Sequence, residues 1–366
     1  MFVVRGFARV KPHLPALTGV RFFLALWVML HHLVGEGQML ESWVHTLPMA
    51  AQRVFHAGYL AVGTFFVLSG FVMSLSYRDA VWTRQSLLRY GAARFGRIYP
   101  AYLVSLAIVL PWILDFVQAA GPQAGKAATL ASYGFVLQGW AGNLGVSWNT
   151  PAWSLSCEFF FYLCFPLAVT WLGGRGWRKI AVVISICFLL PGALNYLGVP
   201  QVWKPIYRLA DFLIGIAVAD LYLACSTTRL RLRGFWLYLP AILMGACVVA
   251  FPDILFGRFS LNAVMRPVNA ALILGLALGG GPAARTLAVG WIGYLGQASY
   301  SMYIVHIPLL WWYRRLCFDQ NPFLSKPEAA VLFLVFTIAV SAVILRWVEE
   351  PANRGVRRWA EARYGS

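Results

Sequence analysis

Ionisable side chains inside long apolar segments are the first candidates for chemistry in this sequence. Arg21 and His32 lie eleven residues apart in one apolar run. At about 100° and 1.5 Å per residue, this spacing predicts an angular offset of about 20° and a separation of about 16 Å along a helix. The pair therefore shares one helical face, whereas His31 lies on a neighbouring face. In a simpler interpretation, Arg21 snorkels to one membrane surface and His32 lies at the other.

Two further ionisable residues lie in apolar segments. Glu158 is enclosed by WSLSC and FFFYL, and His306 follows SYSMYIV. The predicted topology puts His32, Glu158 and His306 at the outer ends of their segments. A histidine oriented by a carboxylate is a ready general base, so this trio predicts a site that deprotonates a hydroxyl group. Two alternatives stay open: a structural ion pair for Glu158, and a hydrogen bond from His306 to a neighbouring helix.

A second set of candidates is basic and lies on the opposite, inner side. Its arginines precede the apolar segment at 98–117; they are Arg78, Arg84, Arg89, Arg94 and Arg97. Guanidinium groups bind phosphate through paired hydrogen bonds, so the stretch predicts a binding site for an anionic donor. The expected phosphate ligands are Arg89, Arg94, Arg97 and Tyr99. Ordinary enrichment of basic residues on the cytoplasmic side is the alternative. No cysteine pairing is typical of a metal site, and no metal is expected.

Composition identifies the environment of these residues. The chain is 60% hydrophobic and 12% charged, with a mean hydropathy of +0.68, whereas soluble domains are about 45–50% apolar and about 25% charged. Its apolar runs are long and do not alternate, which excludes a soluble domain and a β-barrel. The net charge of +17 comes from residues at the ends of apolar runs. That pattern is typical of membrane topology rather than of nucleic-acid binding.

The fold class expected is an all-α membrane protein, a polytopic bundle of about ten transmembrane helices. The predicted spans are 15–33, 58–77, 98–117, 154–173, 180–198, 209–224, 235–251, 267–281, 287–313 and 327–348. About two thirds of the 30 Lys and Arg residues fall in segments on one side, which predicts that both termini are cytoplasmic. Segment 128–140 is either re-entrant, interfacial or a further span. We expect one domain over 1–366, with no appended soluble domain and no cleaved signal peptide.

Six motifs resemble those of acyltransferase family 3, the integral-membrane O-acyltransferases, and follow the family's order. They are the pair Arg21 and His32, FFVLSGF at 65–71, RIYPAYL at 97–103, WSLSCEFFFYL at 153–163, LGQASYSMYIVHIP at 295–308 and WVEEPANR at 347–354. The resemblance extends over nearly the whole chain. Phe159 and Phe160 replace a Glu and a Gln of the family pattern, and the Asp common before FFVLSGF is absent. Members acting on exopolysaccharides are the most similar.

The resemblance implies an activity and assigns residues to it. Cytoplasmic acetyl-CoA, or another acyl-CoA, would donate an acyl group to a hydroxyl of an envelope or exopolysaccharide sugar, or of a lipid-linked saccharide, at the bacterial inner membrane. Arg21 and His32 are the implied catalytic pair, with Glu158 and His306 added from the topology. The motif residues expected to bind substrate or to support the site are Ser69, Trp153, Ser154, Tyr300, Tyr303 and Glu350.

Other functions remain open at this point. A transporter or flippase of lipid-linked saccharides or acyl groups would also need charges inside the membrane, although transporters often have repeated halves and broken helices, which the sequence does not show. A membrane scaffold or receptor is a third possibility. For an enzyme, the expected partners are acyl-CoA, a glycan acceptor, membrane lipids and polysaccharide-assembly proteins, and not nucleic acid. An enzyme acting on lipid-linked precursors at the inner face is a variant of the same activity.

Overall fold

The structure is a computed structural model, and it describes residues 14–119, 123–141, 148–172, 203–227, 234–251, 261–318 and 326–364, with a few residues between 183 and 198. Within these ranges it is helical and contains no strand. The helices are α1 (Pro15–Val34), α2 (Glu41–Val44), α3 (Met49–His56), α4 (Ala61–Tyr77), α5 (Arg84–Ile108), α6 (Leu110–Gln118), α7 (Gln123–Gly134), α8 (Gln138–Ala141), α9 (Trp153–Leu172), α10 (Lys204–Thr227), α11 (Phe235–Ala250), α12 (Leu261–Leu278), α13 (Gly281–Leu287), α14 (Gly290–Tyr313), α15 (Lys326–Ile344) and α16 (Glu350–Tyr364).

Helices occupy nine of the ten predicted span positions. The remaining position, 180–198, lies largely outside the described residues. By length and apolar composition, five helical segments in the described part of the chain qualify as candidate membrane spans, or six if a bent pair is counted. The helical membrane fold is therefore confirmed, whereas the count of ten spans and the cytoplasmic termini stay predictions. Segment 128–140 forms the end of the 12-residue α7 and most of α8, both too short to cross a bilayer.

Two predicted spans differ in extent or shape from the helices that occupy them. The segment 98–117 is not one straight helix, because α5 and α6 meet at Val109 with a bend of 62°. Helix α5 also begins well before the apolar segment, at Arg84, where the Thr83 Oγ1 accepts the backbone N–H of Ser86 at 3.2 Å and so caps the helix. Near the other end of the chain, the helical structure continues past 348, the end of the last predicted span, and through Pro351. A π-helical turn, Leu345–Glu349, joins α15 to α16, and proline is tolerated in the first turn that follows.

Close backbone contact joins α1, which carries Arg21 and His32, to α14, which carries His306. A Cβ atom at Gly296 would collide with the carbonyl oxygen of Thr18, and one at Gly19 with that of Leu287. Small residues let transmembrane helices approach closely. Gly296 therefore lets α14 lie directly against α1, and Gly19 lets α1 lie against the end of α13. Helix α4 packs on α10 in the same way, with Gly70 against the Phe212 backbone.

Candidate active site

His32 and His306 form the first part of the site. The His306 Nε2 lies 3.2 Å from the His32 Nδ1, and the ring centroids are 5.0 Å apart. On its other side, the His306 Nδ1 lies 2.8 Å from the Tyr303 carbonyl oxygen. The His32 Nδ1 also lies 2.9 Å from the Val28 carbonyl oxygen. Two helices therefore join their histidines in a chain that ends on backbone carbonyls, as the shared depth of these residues predicted.

The hydrogen-bond partners determine where the protons lie. A carbonyl oxygen only accepts, so the His306 Nδ1 carries a hydrogen and its Nε2 has a free lone pair when the ring is neutral. The His32 Nδ1 then donates towards that lone pair and towards Val28. It follows that the lone pair of neutral His32 is on Nε2, the nitrogen available to accept a proton. His31 faces elsewhere, with its ring 5.6 Å from that of Tyr59.

Glu158 does not contact the histidines with which the predicted topology grouped it. Its Oε2 accepts a hydrogen bond from the Tyr162 hydroxyl at 3.2 Å, and it lines a cavity together with Arg21, Arg97 and Tyr300. No described contact joins Glu158 to His32 or His306. Glu158 begins the second turn of α9, so it lies deeper than the end of that helix. The predicted carboxylate partner of the histidines is thus replaced by backbone carbonyls, and Glu158 instead accompanies Arg21.

Arg21 lies where three cavities meet. The central one has a volume of about 410 Å³ and lies between α1, α4, α5 and α9. A larger cleft of about 980 Å³ opens from it between α4, α5 and α16. A small cavity of about 50 Å³ continues towards Ser154 and Tyr303, the residue whose carbonyl holds His306. Arg21 has no hydrogen bond or ion pair with any described residue, and Glu158 and Glu349 act on it only through space. Its guanidinium is available to a ligand.

Arg94 is held by tyrosine side chains. Its guanidinium carbon lies 5.5 Å from the ring centroid of Tyr77, 6.0 Å from that of Tyr90 and 5.6 Å from that of Tyr162. The Tyr77 hydroxyl accepts one hydrogen bond at 3.3 Å, and the buried Nε has no partner. Aromatic faces attract a cation without cancelling its charge. Since Arg94 lines both the central cavity and the large cleft, it presents an uncompensated positive charge to them.

Arg97, by contrast, is neutralised. Its Nη1 lies 2.8 Å from Oε2 of Glu349, a side chain that is only 3% exposed. The Ser301 hydroxyl donates to the other oxygen of the same carboxylate. Arg97 also lies over the Tyr300 ring, at 5.4 Å. The pair ties α5 to the π-helical turn and to α14, so the charge of Arg97 is less available for a phosphate group than that of Arg94.

The other predicted residues divide between the cavities and the surrounding packing. Ser69 and Tyr300 line the central cavity, Ser154, Tyr300 and Tyr303 line the small one, and Arg89 and Glu350 line the large cleft. Tyr99 lines none of the three. Its hydroxyl donates to the Gly134 carbonyl at 2.7 Å and its ring stacks on Phe95, so it anchors α7. Trp153 lies beside two cations, Lys204 and Arg208.

Several residues of the site were not predicted. Glu349, rather than its neighbour Glu350, provides the buried carboxylate, and periodicity across a π-helical turn gives no means of choosing between adjacent acids. Tyr77, Tyr90 and Tyr162 enclose Arg94, but they come from three helices whose contact no local pattern indicates. Asn149 is a further omission: its Nδ2 donates to the Ile304 carbonyl at 2.8 Å and fixes the backbone just before His306.

Nearly the whole chain is similar in sequence to known proteins. The model of the acyltransferase domain family matches residues 14–346. The chain is 29% identical to acyltransferase MdmB of Streptomyces mycarofaciens, over 93% of this chain and 92% of that protein. It is 23% identical to the O-acetyltransferase OatA of Staphylococcus aureus, over 93% of this chain but only 57% of OatA. No solved structure matches the chain.

Proposed function

The chain belongs to the acyltransferase domain family, and we propose that it moves an acyl group, most simply acetyl, from acyl-CoA to a hydroxyl of an envelope or exopolysaccharide sugar. The observation that carries this proposal is the His32–His306 pair together with a set of cavities that meet at Arg21 and reach Tyr303, whose carbonyl oxygen holds His306. Transfer from an anionic donor requires a general base for the acceptor hydroxyl and a cleft that binds the anionic groups of the donor. We place the base at one end of the site and the cleft at the other. The helical candidate spans make it a membrane enzyme, and we assign it to the bacterial inner membrane.

The donor is proposed to bind in the large cleft. Arg89, Arg94 and Arg357 line the cleft, and guanidinium groups bind phosphates well. The phosphate groups of acyl-CoA would remain at this end, near Arg94, while its pantetheine arm extends through the central cavity past Arg21. The spacing of Arg21 and His32 along α1 corresponds to about 16 Å, which such an arm can cover. Arg21 is accordingly a donor ligand, because it is too far from His32 to contact the same reacting carbon.

His32 is the proposed general base. Its Nε2 takes the proton from the acceptor hydroxyl as the oxygen attacks the thioester carbonyl. The C–S bond then breaks, and protonated His32 returns the proton to the sulfur, so that CoA leaves as the thiol and His32 is neutral again. The positive charge that develops on His32 is stabilised because its Nδ1–H donates to His306, whose other nitrogen is held by the Tyr303 carbonyl. General-base groups typically contribute about 10²–10⁴-fold. In this mechanism Glu158 has no proton to move and instead balances the charge of Arg21.

We place the large cleft on the cytoplasmic side, with both termini, and His32 towards the outer side. The basic residues of α5 and α16 support this orientation, since cytoplasmic segments are enriched in Lys and Arg. One domain of about ten spans remains our proposal for the whole chain.

Two adjacent histidines offer the test. The purified protein in lipid nanodiscs is incubated with labelled acetyl-CoA and glycan acceptors, and transfer is compared for wild type, His32→Ala and His31→Ala. We expect His32→Ala to lose about 10²–10⁴-fold in rate and His31→Ala to lose little, because His31 is on another face of α1. Activity of His32→Ala within about threefold of wild type, at equal amounts of folded protein, contradicts the assignment.

A further inference from the structure

Two cations at the start of α10 are held against one aromatic ring. The Lys204 Nζ lies 4.7 Å from the centroid of the Trp153 indole, and the Arg208 Cζ lies 5.8 Å from the same centroid. An indole ring attracts cations through its quadrupole but has no net negative charge. Trp153 therefore holds these two side chains in place without neutralising either charge.

The neighbouring carboxylate does not compensate for the cluster. Asp211 is 1% exposed and pairs with Arg208 at 3.2 Å and with Arg266 at 2.9 Å. Among the described residues, Lys204 has no ion pair, and its side chain is exposed. Arg208 therefore shares its carboxylate partner with Arg266, and Lys204 has no carboxylate partner among the described residues. An exposed cation that no carboxylate neutralises can bind an anionic group through a charge-assisted hydrogen bond.

The cluster lies at the same end of the bundle as His32. The ends of helices that meet there are the C-terminus of α1 and the N-termini of α4, α9 and α10. Tyr59 and the residue one turn after it connect the two regions. The Tyr59 ring lies 5.6 Å from that of His31, and a Cβ atom at Gly63 would lie 3.9 Å from the Arg208 guanidinium. Tyr59 is 37% exposed, so a partly exposed aromatic ring lies beside His31 at this end of the bundle.

We propose that Lys204 and Arg208, held by Trp153, form a binding site for an anionic group of the acceptor saccharide. The acceptor class is a sugar that carries a carboxylate or a phosphate, and the exposed ring of Tyr59 provides an apolar surface for the sugar itself. This inference rests on the proposed acyl transfer, because it takes the cluster as the acceptor end of that reaction. The attraction between these two cations and the anionic group orients the sugar, and this orientation determines which of its hydroxyls approaches His32.

Equilibrium binding tests the site without relying on catalysis. The full-length protein in nanodiscs of phosphatidylcholine is titrated with methyl glucuronoside, with glucose 1-phosphate and with the neutral methyl glucoside. We expect at least one anionic probe to bind about tenfold more tightly than the glucoside, since a hydrogen bond to a charged group is worth about that factor. The preference should weaken with added salt.

Charge changes at Lys204 separate the site from general effects. Lys204→Gln should reduce the preference for the anionic probe, and Lys204→Glu should abolish it, whereas Arg208→Lys, which keeps the charge, should retain part of it. Lys326 is the matched control, an exposed lysine whose Nζ contacts the Ser42 hydroxyl at 3.3 Å; Lys326→Gln should bind like wild type. Each variant is first shown to be folded by size-exclusion chromatography.

Three results would overturn the inference. They are equal binding of charged and neutral probes, an unchanged preference in Lys204→Glu, and complete loss of anionic-probe binding in nanodiscs that contain phosphatidylglycerol. The last would make the cluster a site for lipid headgroups. Failure of the proposed function is a different outcome: acyl transfer would be absent with acyl-CoA present, while the binding preference and its dependence on Lys204 persist.

Discussion

We predict that the ion pair between Arg97 and Glu349 contributes to the stability of the protein rather than to donor binding. Glu349→Gln keeps the shape of the side chain but removes the charge that faces Arg97 at 2.8 Å. The remaining guanidinium then has no carboxylate partner in the described structure. We expect the variant to have a lower free energy of unfolding. The hydrogen bond from the Ser301 hydroxyl does not offset this loss, because Ser301 does not contact Arg97.

The magnitude follows from the burial of the two partners. Breaking a fully buried ion pair costs about 3–5 kcal/mol. Glu349 is 3% exposed but Arg97 is 28% exposed and lines two cavities, so part of its charge is screened by solvent. We therefore expect about 2 kcal/mol, roughly half of the fully buried cost.

A double-mutant cycle measures this term. The free energy of unfolding is determined by SDS titration in mixed micelles for wild type, Glu349→Gln, Arg97→Gln and the double variant. We expect a coupling energy of about 2 kcal/mol, with the double variant more stable than the sum of the single changes predicts. Glu350→Gln, the adjacent acid, is the control and should stay within about 0.5 kcal/mol of wild type. A coupling energy below about 0.5 kcal/mol refutes the reasoning.

Three further predictions concern activity. Arg94→Gln should raise the acyl-CoA KM about tenfold, by an amount that shrinks at high salt, whereas Arg84→Gln, on the exposed side of α5, should not; equal KM values for the two variants contradict a role for Arg94. Arg21→Lys should lower kcat/KM about tenfold because an ammonium lacks the planar fork of a guanidinium, and full activity would leave Arg21 as a topological residue only. His306→Phe should lower kcat by about 10–100-fold with the donor KM unchanged, since one hydrogen bond to a developing charge is lost. A rise in KM without a fall in kcat would show that His306 does not stabilise protonated His32.

Local sequence patterns predicted those parts of the site that lie on one helix. The eleven-residue spacing gives the common face of Arg21 and His32 because helix geometry alone fixes it. His306 was assigned to the depth of His32 by topology, and the two rings are in contact. Nine of the ten predicted segments also coincide with helices in the described part of the chain, since long apolar runs leave few alternatives in a membrane.

Contacts between helices could not be predicted from local sequence patterns. Glu158 was expected beside the histidines, but depth along α9 and rotation about its axis depend on packing against α4 and α5. The choice of Glu349 over Glu350 depends on a π-helical turn, and the enclosure of Arg94 depends on tyrosines from α4, α5 and α9. None of these arrangements follows from hydrophobic periodicity, because each requires the relative rotation of two or more helices.

Sidedness is the most direct test of transfer from an inner donor cleft to an outer base. The protein is placed in sealed vesicles of known orientation, and labelled acetyl-CoA and an acceptor glycan are each supplied from one side at a time. We predict that acetyl-CoA works only from the side of the Arg94 cleft, the cytoplasmic side, and that the acceptor works only from the opposite side. Transfer with both substrates on the cytoplasmic side alone would contradict this arrangement, and would identify an enzyme that acylates lipid-linked precursors before export.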